Sequence, residues 1–100
     1  MIYTFVLLDK ANAVELRRQL RPEHRAYVAR VAERIAFAGG LRGDDGETSV
    51  GSLLAIDFAS REEAADWLRD EPFTRGGLYS SIQILGFQNL WPQKAGFPPQ

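Results

Sequence analysis

The opening run Ile2-Tyr3-Thr4-Phe5-Val6-Leu7-Leu8 constrains the fold more than any other stretch of the chain. Its β-branched and aromatic content favours a strand. Side chains alternate along a strand, so Ile2, Val6 and Leu8 share one side with Thr4, while Tyr3, Phe5 and Leu7 take the other. Both faces are largely apolar and both need cover. One hundred residues fit a single domain. Its helices can cover one face of a sheet, and a second copy of the sheet is the economical cover for the other.

The remaining pattern supplies those helices and strands. Asn12-Ala13-Val14-Glu15 matches a capping box and predicts a short helix to about Leu20, ended by Pro22. Proline suits a first helical turn, so a second helix is predicted over about 22–37, with Tyr27, Val28, Val31 and Ile35 as its apolar stripe. Gly39-Gly40 stops that helix. A short strand and a turn at Asp44-Asp45-Gly46 precede a strand over about 49–58. Gly51 in that strand predicts a close backbone approach or a bulge. Ser60-Arg61-Glu62-Glu63 is a second capping box, opening a helix to about Arg69. A turn at Glu71-Pro72-Phe73 leads into a short helical piece, and a last strand spans about 79–87. The order fits an α+β domain over 1–88: a ferredoxin-like split βαβ with a four-stranded antiparallel sheet and helices on one face. Residues 89–100 carry three of the five prolines and read as an irregular tail, packed through Trp91 or Phe97.

Composition removes several functions. The chain has no cysteine, so it has no disulfide framework, thiolate nucleophile or cysteine-type zinc site, and its one histidine rules out a multi-histidine metal cage within one chain. Twelve basic residues against 13 acidic ones give a net charge of -1, which argues against a general nucleic-acid-binding surface. The start lacks the marks of a signal peptide and is too short for a membrane span, so the cytoplasm is the default location. Asp44-Asp45-Gly46-Glu47 lacks the later ligands of a calcium loop and reads as a hairpin turn.

His24 is the side chain whose ordinary pKa lies near neutrality. At the start of the predicted second helix, the positive helix pole would keep the imidazole neutral and able to take a proton. The competing reading is a core histidine bonded to backbone. Asp70 and Glu71, at the unfavourable pole of the preceding helix, need a cationic or histidine partner, and one of them reaching His24 would fix its tautomer. The competing reading there is a solvated helix end. Arg17 and Arg21, with the free N–H groups of the second helix, are candidate anchors for a carboxylate or phosphate, and Ser52 is a candidate pocket hydroxyl.

Arg17, then Arg21-Pro22-Glu23-His24, Gly39, Gly51-Ser52-Leu53-Leu54, Glu63-Ala64 with Trp67, and Pro72-Phe73 followed by Gly77-Leu78 together resemble the YciI-like (YCII-related) family of small bacterial proteins over about residues 1–88. The resemblance implies a ferredoxin-like fold assembled into a dimeric α/β barrel, with a pocket holding a histidine and an acid. His24 matches the family histidine. The family usually places aspartate immediately before the proline, whereas this chain has Glu71 there and Asp70 one residue earlier. Similar proteins include an enzyme that removes chloride from a chlorinated muconate-type compound.

The expected function is that of a small lyase- or hydrolase-like enzyme acting on a small anionic unsaturated or aromatic-derived acid. His24 is the general acid/base, Glu71 or Asp70 its orienter, Arg17 and Arg21 the anchors, and Ser52 a pocket hydroxyl. No cofactor and no metal is implied. The alternatives are a non-catalytic dimeric ligand-binding or accessory module using the same pocket, and a purely structural dimer. The expected partners are a second copy, or a higher assembly of such dimers, and a small anionic ligand, but neither nucleic acid nor membrane.

Overall fold

In the computed structural model, which describes residues 1–91, the first strand is interior to the sheet. β1 (Ile2–Asp9) lies between β3 (Ser49–Asp57) and β4 (Tyr79–Phe87), antiparallel to both. β2 (Ile35–Arg42) pairs with the far side of β3, giving the order β2-β3-β1-β4. Three helices complete the domain: α1 (Val14–Ala29), α2 (Arg61–Arg69) and α3 (Pro72–Arg75). This is the ferredoxin-like arrangement expected from the strand and helix order. No described helix is long and apolar enough to cross a membrane.

Register decides which side chains face the helices. Phe5 stands opposite Leu54 and Leu7 opposite Ser52, so these four share one face. Phe5, Leu7, Ile56 and Phe73 are fully buried there, each worth about 1.5–3 kcal/mol of transfer free energy. On the other face Phe37 stands opposite Ala55, which stands opposite Thr4. Phe37 meets Phe87 edge to face at 5.9 Å on that side, and the Thr4 hydroxyl below is buried without a partner among the described residues. Leu8, Leu85 and Phe87 of this face stay exposed.

Several local predictions need correction. The predicted break at Pro22 does not occur, and α1 is one helix with Pro22 inside it. Proline deletes only its own N–H bond to the Arg18 carbonyl, and both residues lie on the solvent side, where water can take that carbonyl. Asn12 does not cap α1: it adopts a positive φ of 56°, which asparagine tolerates, and Ala13 holds the cap position without a side-chain bond. Nor does a helix extend to 37. A 3₁₀ turn at Ala32–Arg34 follows α1, and Ile35 begins β2. Gly39-Gly40 therefore sits within a strand.

Other predictions stand. Ser60 caps α2 by accepting from the Glu63 N–H at 3.1 Å. The turn before β3 is closed by Asp45, whose Oδ1 accepts from the Glu47 and Thr48 amides at 2.9 Å each. A Cβ on Gly51 would lie 2.2 Å from the Leu7 carbonyl oxygen, so a close strand approach explains that glycine. Trp91 is exposed rather than packed. The rest of the predicted tail, Phe97 included, lies outside the described residues.

Candidate active site

Glu71 is fixed by backbone chemistry before it does anything else. The following proline holds it extended (φ −70°, ψ 136°), and its side chain caps α3. Its Oε2 accepts from the Thr74 N–H at 3.1 Å, the Thr74 hydroxyl at 3.4 Å and the Tyr79 hydroxyl at 3.3 Å. Its Oε1 faces His24 Nδ1. The residue is fully buried, and a bare carboxylate there would carry a desolvation cost of several kcal/mol. The four contacts offset that cost. Burial, aided by the Glu71 charge, pushes the Tyr79 phenol well above its usual range, so it stays a donor to the carboxylate.

His24 reaches Glu71 from within α1, not from a helix start. With Pro22 inside the helix there is no second N-terminus, so neither the positive pole nor the free amides expected beside His24 exist. The imidazole instead lies flat on the Phe73 ring, centroids 3.8 Å apart and planes 10° from parallel. The Arg17 guanidinium carbon lies 4.7 Å over the same ring. Phe73 thus touches both Arg17 and His24. They stand two helical turns apart on one side of α1.

Arg17 is committed on the protein side. Its Nε donates to Asp9 Oδ2 at 2.7 Å and its Nη2 to Ser52 Oγ at 2.8 Å, with a longer Nη2 contact of 3.4 Å to Asp9 Oδ1. Both partners of the Asp9–Arg17 pair are largely buried. Ser52 is 3% exposed, and since its oxygen accepts from Arg17, its own O–H remains to donate.

A cavity of about 760 Å³ opens between α1 and the β2–β3 edge. Ala38 and Gly40, opposite Leu54 and Ser52 on the helix-facing side of β2, leave the room for it. His24 and Ser52 line its deep part, and Arg21, Arg25 and Arg42 line its exposed rim. With Nδ1 against Glu71, Nε2 is the ring nitrogen left to the cavity, and no described residue bonds it. If Nδ1 carries the proton towards the carboxylate, Nε2 presents a lone pair.

Of the residues singled out in the sequence, His24, Glu71, Arg17 and Ser52 thus come together, and Arg21 lines the same cavity. Asp70 does not join them. Its carboxylate is exposed and lies 3.6 Å from Arg69 Nε, because the turn into Pro72 directs only Glu71 inward. Arg17 also lines the cavity, with its Nε and Nη2 bonded to Asp9 and Ser52. Sequence reasoning missed Asp9, Phe73, Tyr79 and Arg42 as neighbours of these residues. Asp9, the charge ending an otherwise apolar strand, was the one with a visible signal. Among the described residues no group of three or more His, Asp or Glu is placed to hold a metal ion.

A sequence model of the YCII-related domain matches residues 1–88. The chain belongs to the YCII-related family. Protein YciI of Escherichia coli O6:H1 (strain CFT073) is 26% identical over 98 residues, spanning 91% of this chain and 100% of that protein. An uncharacterized protein of Haemophilus influenzae is 24% identical over the same length and coverage. Among solved structures, 5-chloro-2-hydroxyhydroquinone dehydrochlorinase from Burkholderia phenoliruptrix AC1100, in complex with 2,5-dihydroxybenzoquinone, superimposes with a TM-score of 0.81. It is 22% identical, and the match covers 88% of this chain and 94% of that one. At that identity the likeness establishes the shared fold of this YCII-related chain, not a shared reaction.

Proposed function

We propose that this YCII-related protein is a small-molecule enzyme of the lyase type, acting on a small anionic unsaturated or aromatic-derived acid. One observation carries the proposal: the carboxylate of Glu71 is buried and takes His24 Nδ1, so the ring is oriented with Nε2 free beside a cavity. In the proposed reaction Nε2 removes a proton from a carbon adjacent to the substrate's carbonyl or carboxyl group. The electrons of the broken C–H bond form a new C=C bond, and the leaving group departs with its own bonding pair. Glu71 holds the imidazole and stabilises the imidazolium that forms. Arg21 neutralises the substrate anion, and the Ser52 hydroxyl donates to an acceptor on it. The dehydrochlorinase with the same fold carries the name of an eliminating enzyme, which favours elimination over hydrolysis.

The test begins with a thermal-shift screen of small carboxylic acids on wild type and His24→Ala. Each binder is then incubated in D2O and followed by proton NMR. The expected result is a ligand whose shift is lost in His24→Ala and which exchanges hydrogen for deuterium, or eliminates, only with the wild type. A ligand that stabilises both proteins equally removes His24 from the site. Binding that depends on His24 without exchange or turnover leaves a ligand-binding module instead.

A second copy of the chain is proposed to cover the open sheet face, through Leu8, Leu85 and Phe87. These are apolar, exposed and on one face of β1 and β4. A dimeric mass at micromolar concentration, shifted to monomer by Leu85→Glu, is the expected outcome. A monomeric wild type contradicts it.

A further inference from the structure

We propose that the cavity selects a dianion with two separated acidic groups, one taken deep and the other at the rim by Arg25 and Arg42. The inference rests on the acid-binding role proposed for the cavity and adds what that role leaves open, the number and placement of the ligand's charges.

Polar side chains around the cavity offer donors almost exclusively. Deep inside, Ser52 is 3% exposed, lines the cavity and keeps an O–H that donates to no described residue. The carboxylates beneath that floor, Asp9 and Glu71, are already taken by Arg17 and His24. No acidic residue lines the cavity among the described ones. At the rim, Arg21, Arg25 and Arg42 form no ion pair among the described residues. Arg42 uses one N–H on the Gly46 carbonyl, at 3.1 Å, which leaves most of its fork free. Three uncompensated guanidiniums around one opening stand out in a chain whose net charge is -1.

The placement of the cations argues for two groups rather than one. Arg21 and Arg25 are one turn apart on α1, on the same side as His24, whereas Arg42 ends β2 on the opposite wall. A lone carboxylate held by Arg21 and Ser52 leaves Arg25 and Arg42 without a role. A cavity of about 760 Å³ also exceeds what a single acid group needs. A diacid spanning from the floor to the rim gives Arg25 and Arg42 a partner as well.

The probes are succinate, glutarate and adipate, each paired with its monomethyl ester, and inorganic phosphate as a compact dianion. Dissociation constants are measured by calorimetry at one fixed, low ionic strength, because rim charges are screened by salt. At least one diacid is expected to bind about tenfold more tightly than its ester, the scale of one charge-assisted hydrogen bond. Arg25→Gln and Arg42→Gln each bring that ratio towards one while leaving the ester's affinity nearly unchanged, and Arg42→Lys restores part of it. The proposal is overturned if no diacid outbinds its ester, if the ratio survives both substitutions, or if phosphate binds more tightly than every diacid. These results separate from the enzymatic reading. Equal binding of acid and ester with exchange still dependent on His24 overturns the dianion alone. A diacid preference with no His24-dependent chemistry overturns the enzyme and leaves the dianion site standing.

Discussion

Replacing Glu71 by glutamine tests the site without needing its substrate. Oε2 of Glu71 serves three donors, and a glutamine oxygen can accept from the same Thr74 and Tyr79 groups. The amide nitrogen then stands where Oε1 met His24 Nδ1. An amide N–H cannot face an imidazole N–H, so the proton must leave Nδ1 and reside on Nε2. In the proposed tautomer wild type presents a lone pair to the cavity, and Glu71→Gln presents a donor. Removing a buried charge while keeping its shape moves stability by about 2 kcal/mol at most, in either direction. Glu71→Ala instead strands the Thr74 and Tyr79 donors and an unsupported imidazole, and is expected to cost about 3–5 kcal/mol. Activity responds in the other order of sensitivity. A wrong tautomer disables the base even in a well-folded protein, with a loss of about a hundred- to ten-thousand-fold. The chain has one histidine, so uniform ¹⁵N labelling reports a single imidazole and assigns its tautomer without mutagenic controls. An unchanged imidazole pattern in a folded Glu71→Gln protein would refute the reasoning, since it would mean that Glu71 does not choose the tautomer.

Three further outcomes follow from the same structure. The Tyr79 phenol, raised by burial and by Glu71, should contribute stability that is present below its ordinary pKa of about 10 and lost as pH rises above it. Tyr79→Phe should flatten that alkaline slope in urea denaturation and cost about 1 kcal/mol at neutral pH. The Thr48 hydroxyl and amide bonds hold the Asp45 carboxyl down at about 2 from 3.8, so the β2–β3 turn should be fully supported above 3.8 and loosen as pH falls through 2. Acid titration of the Glu47 and Thr48 amide signals checks this, and Asp45→Asn should abolish the titration. Gly51→Ala drives a methyl into the Leu7 carbonyl and should destabilise by about 1–3 kcal/mol or more, read from the thermal midpoint; an unchanged midpoint would show that the strands are not held so close.

The fold was legible wherever one physical signal acted alone. The doubly apolar β1, the Ser60 cap and the strand over 79–87 each carry a pattern that no neighbouring pattern contradicts. Legibility failed where two signals overlapped. Val28, Val31 and Ile35 keep helical spacing across the end of α1, although Ile35 already belongs to a strand paired with Ile56. Sheet pairing overrides that periodicity, and nothing local to residues 28–37 announces the change. Pro22 misled for a different reason. Its local penalty was real, but α1 is anchored on both sides of it, by Arg17 on Asp9 and by the Tyr27 hydroxyl on the Trp67 carbonyl at 2.8 Å.

The site shows the same division between what is local and what is tertiary. Which of Asp70 and Glu71 turns inward is decided locally, by the proline that holds residue 71 extended and makes it the cap of α3. That choice was available from the sequence, because the residue before a proline that starts a helix is the cap position. Arg17 could not be assigned in this way. Its partners Asp9 and Ser52 lie on two different strands, and only the register of Leu7 against Ser52 brings them to one place. The separate register of β2 against β3 puts Gly40 opposite Ser52, where it leaves room for the cavity. Arg17 is therefore held by Asp9 and the Ser52 oxygen at the place where it lines the cavity. Arg21, Arg25 and Arg42, which form no ion pair among the described residues, line that cavity from α1 on one side and from the end of β2 on the other.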